Sequence, residues 1–155
     1  MSTLDEIDCA LLAALQERGD APNLELARAV GLSPAATSRR VQRLRAEGVV
    51  ESVRAVVAPE RVGLGVEAFV LVTLAEHAPE ADARFARGLS AMPNVLRADS
   101  IAGSEDALVH VAVATAADLH RLLLALKRAG AARATTMLRL QAIKPATAVP
   151  VAPDA

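Results

Sequence analysis

The sequence is poor in the residues that usually form metal centres, disulfides and aromatic cages. Its 155 residues include no tryptophan, no tyrosine, two phenylalanines, one cysteine (Cys9) and three scattered histidines, His77, His110 and His120. A single cysteine excludes an intramolecular disulfide, and none of these residues shows the spacing of a metal site. We therefore expect no metal, no cofactor and no redox chemistry, and we interpret Cys9 as a small buried hydrophobe.

Long uninterrupted apolar runs are also missing, although 53% of the residues are hydrophobic. Charged residues interrupt each apolar stretch before the roughly 20 residues that a transmembrane helix needs. The first residues, Met1-Ser2-Thr3-Leu4-Asp5-Glu6, are acidic, unlike the basic start of a signal peptide. These features predict a folded cytoplasmic protein with no membrane partner.

The net charge is only −1, but the positive charge is concentrated in one segment. Residues 33–54 contain five arginines and two glutamates, which leaves a local excess of three positive charges. A basic segment in an otherwise neutral chain is typical of a surface that binds nucleic acid. The sequence therefore predicts double-stranded DNA as a partner.

The first third of the chain predicts three helices, the last two joined by a very short turn. Apolar residues at helical intervals predict a first helix over Asp5–Arg18, and Asn23 is the predicted N-cap of a short second helix that buries Leu24. Gly31-Leu32-Ser33 forms the turn, because glycine ends a helix while serine followed by proline begins one. The result is a helix-turn-helix whose recognition helix runs from Pro34 to about Glu47.

The next segment, Val49–Val57, is rich in valine and partly alternating, which predicts one or two short strands of a winged helix-turn-helix. Glycine and proline then indicate a linker. The predicted organisation is a DNA-binding domain at residues 1–57, a linker at 58–65, a dimerisation and effector-binding domain at 66–144, and a disordered tail at 145–155.

The second domain alternates strands and helices in the order βαββαβ. The predicted strands are 66–74, 95–101, 107–114 and 133–143, and the predicted helices are 80–92 and 116–129. This order is that of ferredoxin-like α+β folds, in which both helices cover one face of an antiparallel sheet. The first strand is apolar on both sides, with Phe69 and Leu71 opposite Val70 and Val72. We therefore expect a homodimer to cover the second face.

Ordered strings of residues resemble the leucine-responsive and asparagine-type regulators, the Lrp/AsnC or feast/famine family. In the first domain these strings are Leu4-Asp5-Glu6-Ile7-Asp8, Asn23-Leu24-Glu25-Leu26-Ala27, Val30-Gly31-Leu32-Ser33-Pro34 and Glu47-Gly48-Val49-Val50. The family has a loop of glycine, acid, any residue, aspartate and aromatic. Here Gly103 and Asp106 match that loop, while Ser104 and Ala107 depart from it.

The resemblance implies a sequence-specific transcriptional regulator, not an enzyme, with a ferredoxin-like Lrp/AsnC ligand-binding (RAM) domain. Proteins of this family are dimers that often assemble into octamers of four dimers. They respond to an amino acid bound between subunits, near the loop that corresponds to Gly103–Asp106. The resemblance therefore implies an amino acid or a similar small metabolite as the effector.

The predicted DNA contacts lie on the third helix and just after it. The amino-terminal half of a recognition helix contacts base edges. The small residues in that half and Arg39 are therefore the candidates for direct readout of bases. Arg43 and Arg54 are better placed for phosphates, and Arg40 either orients the helix or reaches a phosphate from its edge. The predicted set is Ser33, Ala35, Ala36, Ser38, Arg39, Arg40, Arg43 and Arg54. In the alternative interpretation, these arginines form a solvated face paired with nearby glutamates.

The predicted effector contacts are Gly103, Ser104, Glu105, Asp106 and Thr136. The loop 103–106 offers backbone N–H groups beside carboxylates, which suit the two charged groups of an amino acid. A tight hairpin turn explains the same residues equally well. Thr136 enters through the resemblance, because the family contributes a threonine from the last strand, where Thr135 also lies.

Other interpretations stay open. Sirohaem decarboxylases share this two-domain build, but their chemistry needs histidines and arginines around a porphyrin, and strand 95–101 holds Arg97 without a histidine. The chain also fits an effector-blind architectural DNA-binding protein, or a sensor that joins mixed oligomers with a relative. No catalytic triad or phosphate-binding loop is identifiable, so we predict no catalytic residues.

Overall fold

The computed structural model describes residues 3–153, and the chain divides into two compact units. Unit 1 consists of the described residues up to 56 and from 144 onward, and unit 2 consists of residues 57–143. No helix within residues 3–153 is long and apolar enough to cross a membrane.

Unit 1 contains three helices, α1 (Glu6–Glu17), α2 (Asn23–Ala29) and α3 (Pro34–Ala46). Helix α1 begins at a capping box, in which the side chains of Asp5 and Asp8 each accept a hydrogen bond from the other residue's backbone N–H. The core between the helices is formed by Leu11, Leu15, Leu26 and Val41. The three predicted helices are confirmed.

Backbone hydrogen bonds hold the turn between α2 and α3. Gly31 has a φ of 67°, a conformation that glycine adopts at little cost. The N–H of Leu32 donates to the carbonyl of Ala27 at 3.0 Å and so closes the end of α2. Ser33 caps α3, since its Oγ accepts from the N–H of Ala36 at 3.2 Å. The predicted helix-turn-helix is confirmed at this turn.

Two expectations for α2 are wrong. Asn23 is the first helical residue and not the N-cap, a position taken by Pro22 without a side-chain hydrogen bond. The Nδ2 of Asn23 instead donates to the carbonyl of Pro34 at 2.8 Å, which ties α2 to the start of α3. Leu24 is 51% exposed. It lies two residues, about 200° of helical rotation, from the buried Leu26.

The predicted wing is also wrong. Residues 51–58 form neither helix nor strand, and Val56 is 98% exposed. A strand needs a neighbour to pair its N–H and C=O groups, and among the described residues the one sheet is that of unit 2. Valine-rich alternation indicates β propensity, which forms no strand without a partner. The predicted linker contains one 3₁₀ turn, Pro59–Val62.

Unit 2 is a four-stranded antiparallel sheet with two helices. Its strands are β1 (Val66–Leu74), β2 (Val95–Ser100), β3 (Ala107–Val113) and β4 (Ala131–Leu138), and its helices are α4 (Pro79–Ser90) and α5 (Ala116–Ala129). The strand order β2-β3-β1-β4 is that of ferredoxin-like folds. The predicted α+β fold is confirmed, although the last strand begins at Ala131 and ends at Leu138, earlier than predicted.

Both helices pack against one face of this sheet. The core includes Ala68, Val70, Val72, Phe85, Leu119, Leu122 and Leu126. Alternation along β1 leaves Phe69 and Leu71 on the opposite face, as predicted, and we call that side the open face. A buried valine or leucine contributes roughly 1.5–3 kcal/mol, so the helix-covered side is the main source of stability in unit 2.

The chain after β4 has no helix or strand up to residue 153. Within unit 1, the Nε2 of Gln16 on α1 donates to the carbonyl of Val149 at 3.1 Å, and the N–H of Val149 donates to Gln16 Oε1 at 2.7 Å. The predicted domain boundaries and the disorder predicted for residues 145–155 stay predictions. Residues 154 and 155 lie outside the described range, as do Met1 and Ser2 of the acidic start.

Helices α4 and α5 approach closely at Gly88, where an added Cβ would lie 2.8 Å from the Cβ of Ala129. We predict that Gly88→Ala lowers the free energy of unfolding by about 1 kcal/mol, because overpacking outweighs the better helix propensity of alanine. In an Ala129→Gly background the same change should stabilise the protein. Urea denaturation of the four variants measures both effects, and an equal effect in the two backgrounds would contradict the contact.

Candidate DNA-binding and effector sites

Helix α3 has a buried side and an exposed side. The buried side consists of Thr37, Val41 and Leu44. Ala35 and Arg39 are exposed, and Ala36 and Ser38 are half-buried. The side of α3 that faces away from the core therefore presents the small residues and the arginine that we predict to read bases.

One shallow groove of about 360 Å³ runs along this side of α3. It is lined by Leu32, Ala36, Arg39, Arg40 and Arg43. Residues three and four apart on a helix are neighbours, so Ala36, Arg39 and Arg43 form one stripe. The structure thus brings three of the predicted DNA-contacting arginines to the same surface.

Two of these arginines are held by acids of α1. Arg40 Nη1 donates to Asp5 Oδ2 at 2.7 Å and to Asp8 Oδ1 at 2.9 Å. Arg43 Nη2 donates to Asp8 Oδ2 at 2.5 Å. The Asp8 side chain is only 1% exposed, and hydrogen bonds to both of its oxygens offset the cost of burying it. We call Asp5, Asp8, Arg40 and Arg43 the acid clamp.

Hydrogen bonds within the acid clamp stabilise the charged forms of Asp5 and Arg40. The backbone N–H of Asp8, followed by the guanidinium of Arg40, lowers the pKa of the Asp5 carboxyl by hydrogen bonding to its ionised form. The same hydrogen bond to Asp5, followed by the one to Asp8, raises the pKa of Arg40. Asp5 and Arg40 are therefore both charged at neutral pH.

The remaining arginines of this region have no ion pair among residues 3–153; they are Arg39, Arg45 and Arg54. The predicted pairing with local glutamates occurs weakly, since Arg43 Nε lies 3.8 Å from Glu47 Oε2. The main partners are Asp5 and Asp8, which precede their arginines by 32 to 35 residues. No local pattern in the sequence indicates such a pairing.

Of the other predicted DNA contacts, Ser33 serves as the helix cap described above. Arg54 is exposed in the segment that forms no strand. Arg54 therefore lies on no helix or strand that would fix its position relative to DNA, whereas Arg39 lies on helix α3.

The predicted effector loop closes the hairpin between β2 and β3. The N–H of Ile101 donates to the carbonyl of Asp106 at 3.1 Å, and the N–H of Asp106 donates to the carbonyl of Val72 at 2.9 Å. The Asp106 carboxylate accepts from the N–H of Leu74 at 2.7 Å and lies 3.7 Å from His77 Nδ1. These bonds fit the hairpin-turn interpretation.

The other acid of the loop, Glu105, is engaged as well. Its carboxylate accepts from the hydroxyl of Thr73 and, at 2.6 Å, from Arg133 Nη2. Thr73 and Arg133 face each other in the register of β1 and β4, which the sequence alone does not reveal. Both loop carboxylates therefore have partners, while Gly103 and Ser104 are exposed.

Thr136 is not brought to this loop. It pairs with Val70 in the middle of β1, and Val70 faces the helices. The β4 residue that reaches the loop is Arg133, three positions earlier. Within one chain, the predicted contact of Thr136 with an effector at the loop therefore has no geometric support.

A groove of about 650 Å³ lies between α4 and β2 and reaches Asp106. Apolar side chains line most of it, among them Phe85, Leu89, Met92 and Val95. Its volume is in the range of small-molecule sites, about 300–1,000 Å³. Among residues 3–153, no group of three histidine, cysteine or acidic side chains is placed to hold a metal ion.

Two family models match the chain. The AsnC-type helix-turn-helix domain matches residues 4–45, and the Lrp/AsnC ligand binding domain matches residues 67–149. The chain belongs to the Lrp/AsnC family. Among its relatives, the DNA-binding transcriptional activator DecR of Escherichia coli is 35% identical, with 96% of this chain and 99% of DecR covered. The leucine-responsive regulatory protein of Haemophilus influenzae is 31% identical, with 90% and 78% covered.

Solved structures of Lrp/AsnC regulators are also similar. A transcriptional regulator from Neisseria meningitidis in complex with L-methionine has a TM-score of 0.86 at 33% identity, with 96% of this chain and 97% of that one covered. The feast or famine regulatory protein of Mycobacterium tuberculosis complexed with L-methionine has a TM-score of 0.83 at 34% identity, with 92% and 95% covered. The predicted family, fold and role as a DNA-binding transcriptional regulator are confirmed.

Proposed function

We propose that this Lrp/AsnC regulator reads its operator with the exposed side of α3, acts as a homodimer, and responds to an amino acid bound at the loop 103–106. It works in the cytoplasm, where operator DNA lies. It binds DNA and a metabolite and has no catalytic step of its own, in keeping with relatives named as regulators of transcription.

The observation that carries the DNA proposal is the free guanidinium of Arg39. It is exposed, has no acid partner among residues 3–153, and shares a groove with Ala36 on a rigid helix. A guanidinium so mounted can donate two hydrogen bonds to O6 and N7 of guanine in the major groove. Ala35 and Ala36 suit contacts with thymine methyl groups, and Ser38 suits a hydrogen bond to a base edge.

We predict that Arg39→Ala costs about 1–3 kcal/mol on the preferred duplex and removes the preference at one base pair. Fluorescence anisotropy with a duplex selected from a random library, and with its single-base variants, measures the effect. Arg45→Ala is the matched control, because Arg45 is an exposed α3 arginine outside the groove and should weaken all duplexes alike. An Arg39→Ala protein that ranks the duplexes as the wild type does would contradict the proposal.

Dimerisation is supported by the open face of the sheet. Across it, Phe69 pairs with Met137, and Leu71 pairs with Leu108. Met137, on the edge strand β4, is a large apolar side chain that is 44% exposed. An apolar patch of this kind is typical of a subunit interface, and a second copy related by a two-fold axis presents the same patch.

Polar groups at the margins of the open face are already paired, which lowers the cost of covering it. Glu67 accepts from His110 at 2.8 Å and from Arg139. The ring of Phe69 stacks on His110, with 4.7 Å between ring centroids. Burial against a second copy would thus leave no isolated carboxylate. Four such dimers would form the octamer that the family suggests.

We predict that Leu71→Arg weakens dimerisation at least 100-fold, because two like charges would meet across the two-fold axis. Leu124→Arg, on the exposed side of α5, is the control and should leave the association state unchanged. Sedimentation equilibrium measures the dimer dissociation constant of each variant. A stable wild-type monomer of 16.1 kDa at micromolar concentration would refute the dimer.

The proposed effector site consists of the loop 103–106 and the adjacent groove between α4 and β2. Gly103 and Ser104 are exposed, and the apolar groove reaches Asp106 in the same loop. A small amino acid with an apolar side chain matches both parts, as does the L-methionine bound by the two solved relatives. The first effector to test is therefore L-methionine.

We predict that L-methionine binds and that Ala98→Phe, which fills the groove from β2, weakens binding at least tenfold. Isothermal titration calorimetry gives the dissociation constants. Ala83→Phe is the control, because Ala83 is exposed on α4 and does not line the groove. Equal affinity in Ala98→Phe and the wild type would place the effector elsewhere.

The second candidate function is an effector-blind DNA-binding protein. It is favoured by Ser104 and Ala107, which depart from the family's loop, and by the internal partners of Glu105 and Asp106. The same titration separates the two functions. No heat of binding with any of the twenty amino acids would support the effector-blind regulator.

A further inference from the structure

The acid clamp contributes two arginines to the surface that the proposed function assigns to DNA. We propose that Asp5 and Asp8 withhold Arg40 and Arg43 from DNA phosphates and so limit sequence-independent binding. The inference rests on the proposed reading of DNA by α3, and it assigns to two acids of α1 a part in specificity. The base contact proposed for Arg39 does not depend on it.

Arg40 and Arg43 line the same groove as Arg39, so they face the proposed DNA side rather than a remote surface. Their side chains are 28% and 41% exposed, which leaves them within reach of an approaching phosphate. Location alone would make them phosphate contacts, as the sequence predicts.

The two carboxylates of Asp5 and Asp8 match the two guanidinium groups of Arg40 and Arg43 in number. Three hydrogen bonds of 2.5–2.9 Å join the carboxylates to the guanidinium groups. A phosphate that approached either arginine would also approach these carboxylates and be repelled. Asp8 is nearly fully buried, so its charge is screened poorly by salt and its hold on the arginines persists at physiological ionic strength.

The two arginines of the acid clamp differ from the other arginines of this region, which have no ion pair among the described residues. Arg39, Arg45 and Arg54 supply the cations that remain free among the described residues of this region. Each phosphate neutralised on B-DNA adds about 0.9 to the salt dependence of binding and, at about 0.1 M salt, roughly tenfold in affinity. If two arginines are withheld from phosphates, the affinity loses a large contribution that does not depend on sequence. The contact of Arg39 with a base then accounts for a larger share of the affinity.

The decisive variant is Asp5→Asn. Asparagine is as good an N-cap as aspartate, so α1 keeps its start, while two guanidinium groups then share one carboxylate. We expect the slope of log affinity against log salt to steepen by up to about 0.9 on a non-specific duplex, with roughly tenfold tighter binding at about 0.1 M salt. Fluorescence anisotropy over a salt series measures both quantities on the full chain.

Two controls isolate the acid clamp. Glu6→Gln removes the same charge from the same helical turn, but Glu6 is exposed and has no ion pair among residues 3–153, so it should leave the slope nearly unchanged. Asp5→Asn/Arg40→Gln restores the charge balance and should return the slope to the wild-type value. Circular dichroism melting confirms that each variant is folded.

The outcomes separate this inference from the proposed function. A slope for Asp5→Asn equal to that of Glu6→Gln, in proteins that bind DNA, would overturn the acid clamp and leave the reading by α3 intact. A steeper slope that persists in Asp5→Asn/Arg40→Gln would also overturn it. Failure of the folded wild type to bind any duplex at low salt would overturn both.

Discussion

The burial of strand β1 is the constraint on which unit 2 depends. It pairs with β3 on one side and β4 on the other, so its backbone is satisfied within the sheet and its side chains determine what covers each face. The side chains of Ala68, Val70 and Val72 are buried under the two helices. Phe69 and Leu71 lie on the open face, which the helices do not cover. The same register brings Arg133 to Glu105 and thereby joins the loop 103–106 to strand β4.

In unit 1 a single buried carboxylate has a comparable role. Asp8 completes the cap of α1 and holds two arginines of α3, so the start of one helix and the exposed side of another share one charge network. If one partner of such a network is removed, a buried charge loses its compensating interaction while its desolvation penalty remains. The four residues therefore depend on one another. The proposed DNA-reading surface of α3 is consequently linked to α1 through these ion pairs.

The sequence allowed good prediction wherever local chemistry decides the structure. Gly31 and Ser33 define their turn through backbone conformation and capping, and the alternation in β1 defines its two faces, so both were predicted closely. Prediction failed where partners are distant or absent. The valines of residues 49–57 have β propensity but no neighbouring strand among the described residues, and the position of Thr136 opposite Val70 depends on a register that only strand pairing reveals. The acid clamp is not predictable from sequence for the same reason, since its acids and arginines are 32 to 35 residues apart.

The hydrogen bonds between Gln16 and Val149 have a practical consequence for dissecting the protein. Because the chain leaves unit 1 at residue 56 and returns to it at residue 144, the DNA-binding unit is discontinuous in sequence, with unit 2 as an insertion. A fragment cut at the end of the helix-turn-helix would lose the returning segment and uncover the groove beside α1 that Val149 and Val151 help to line.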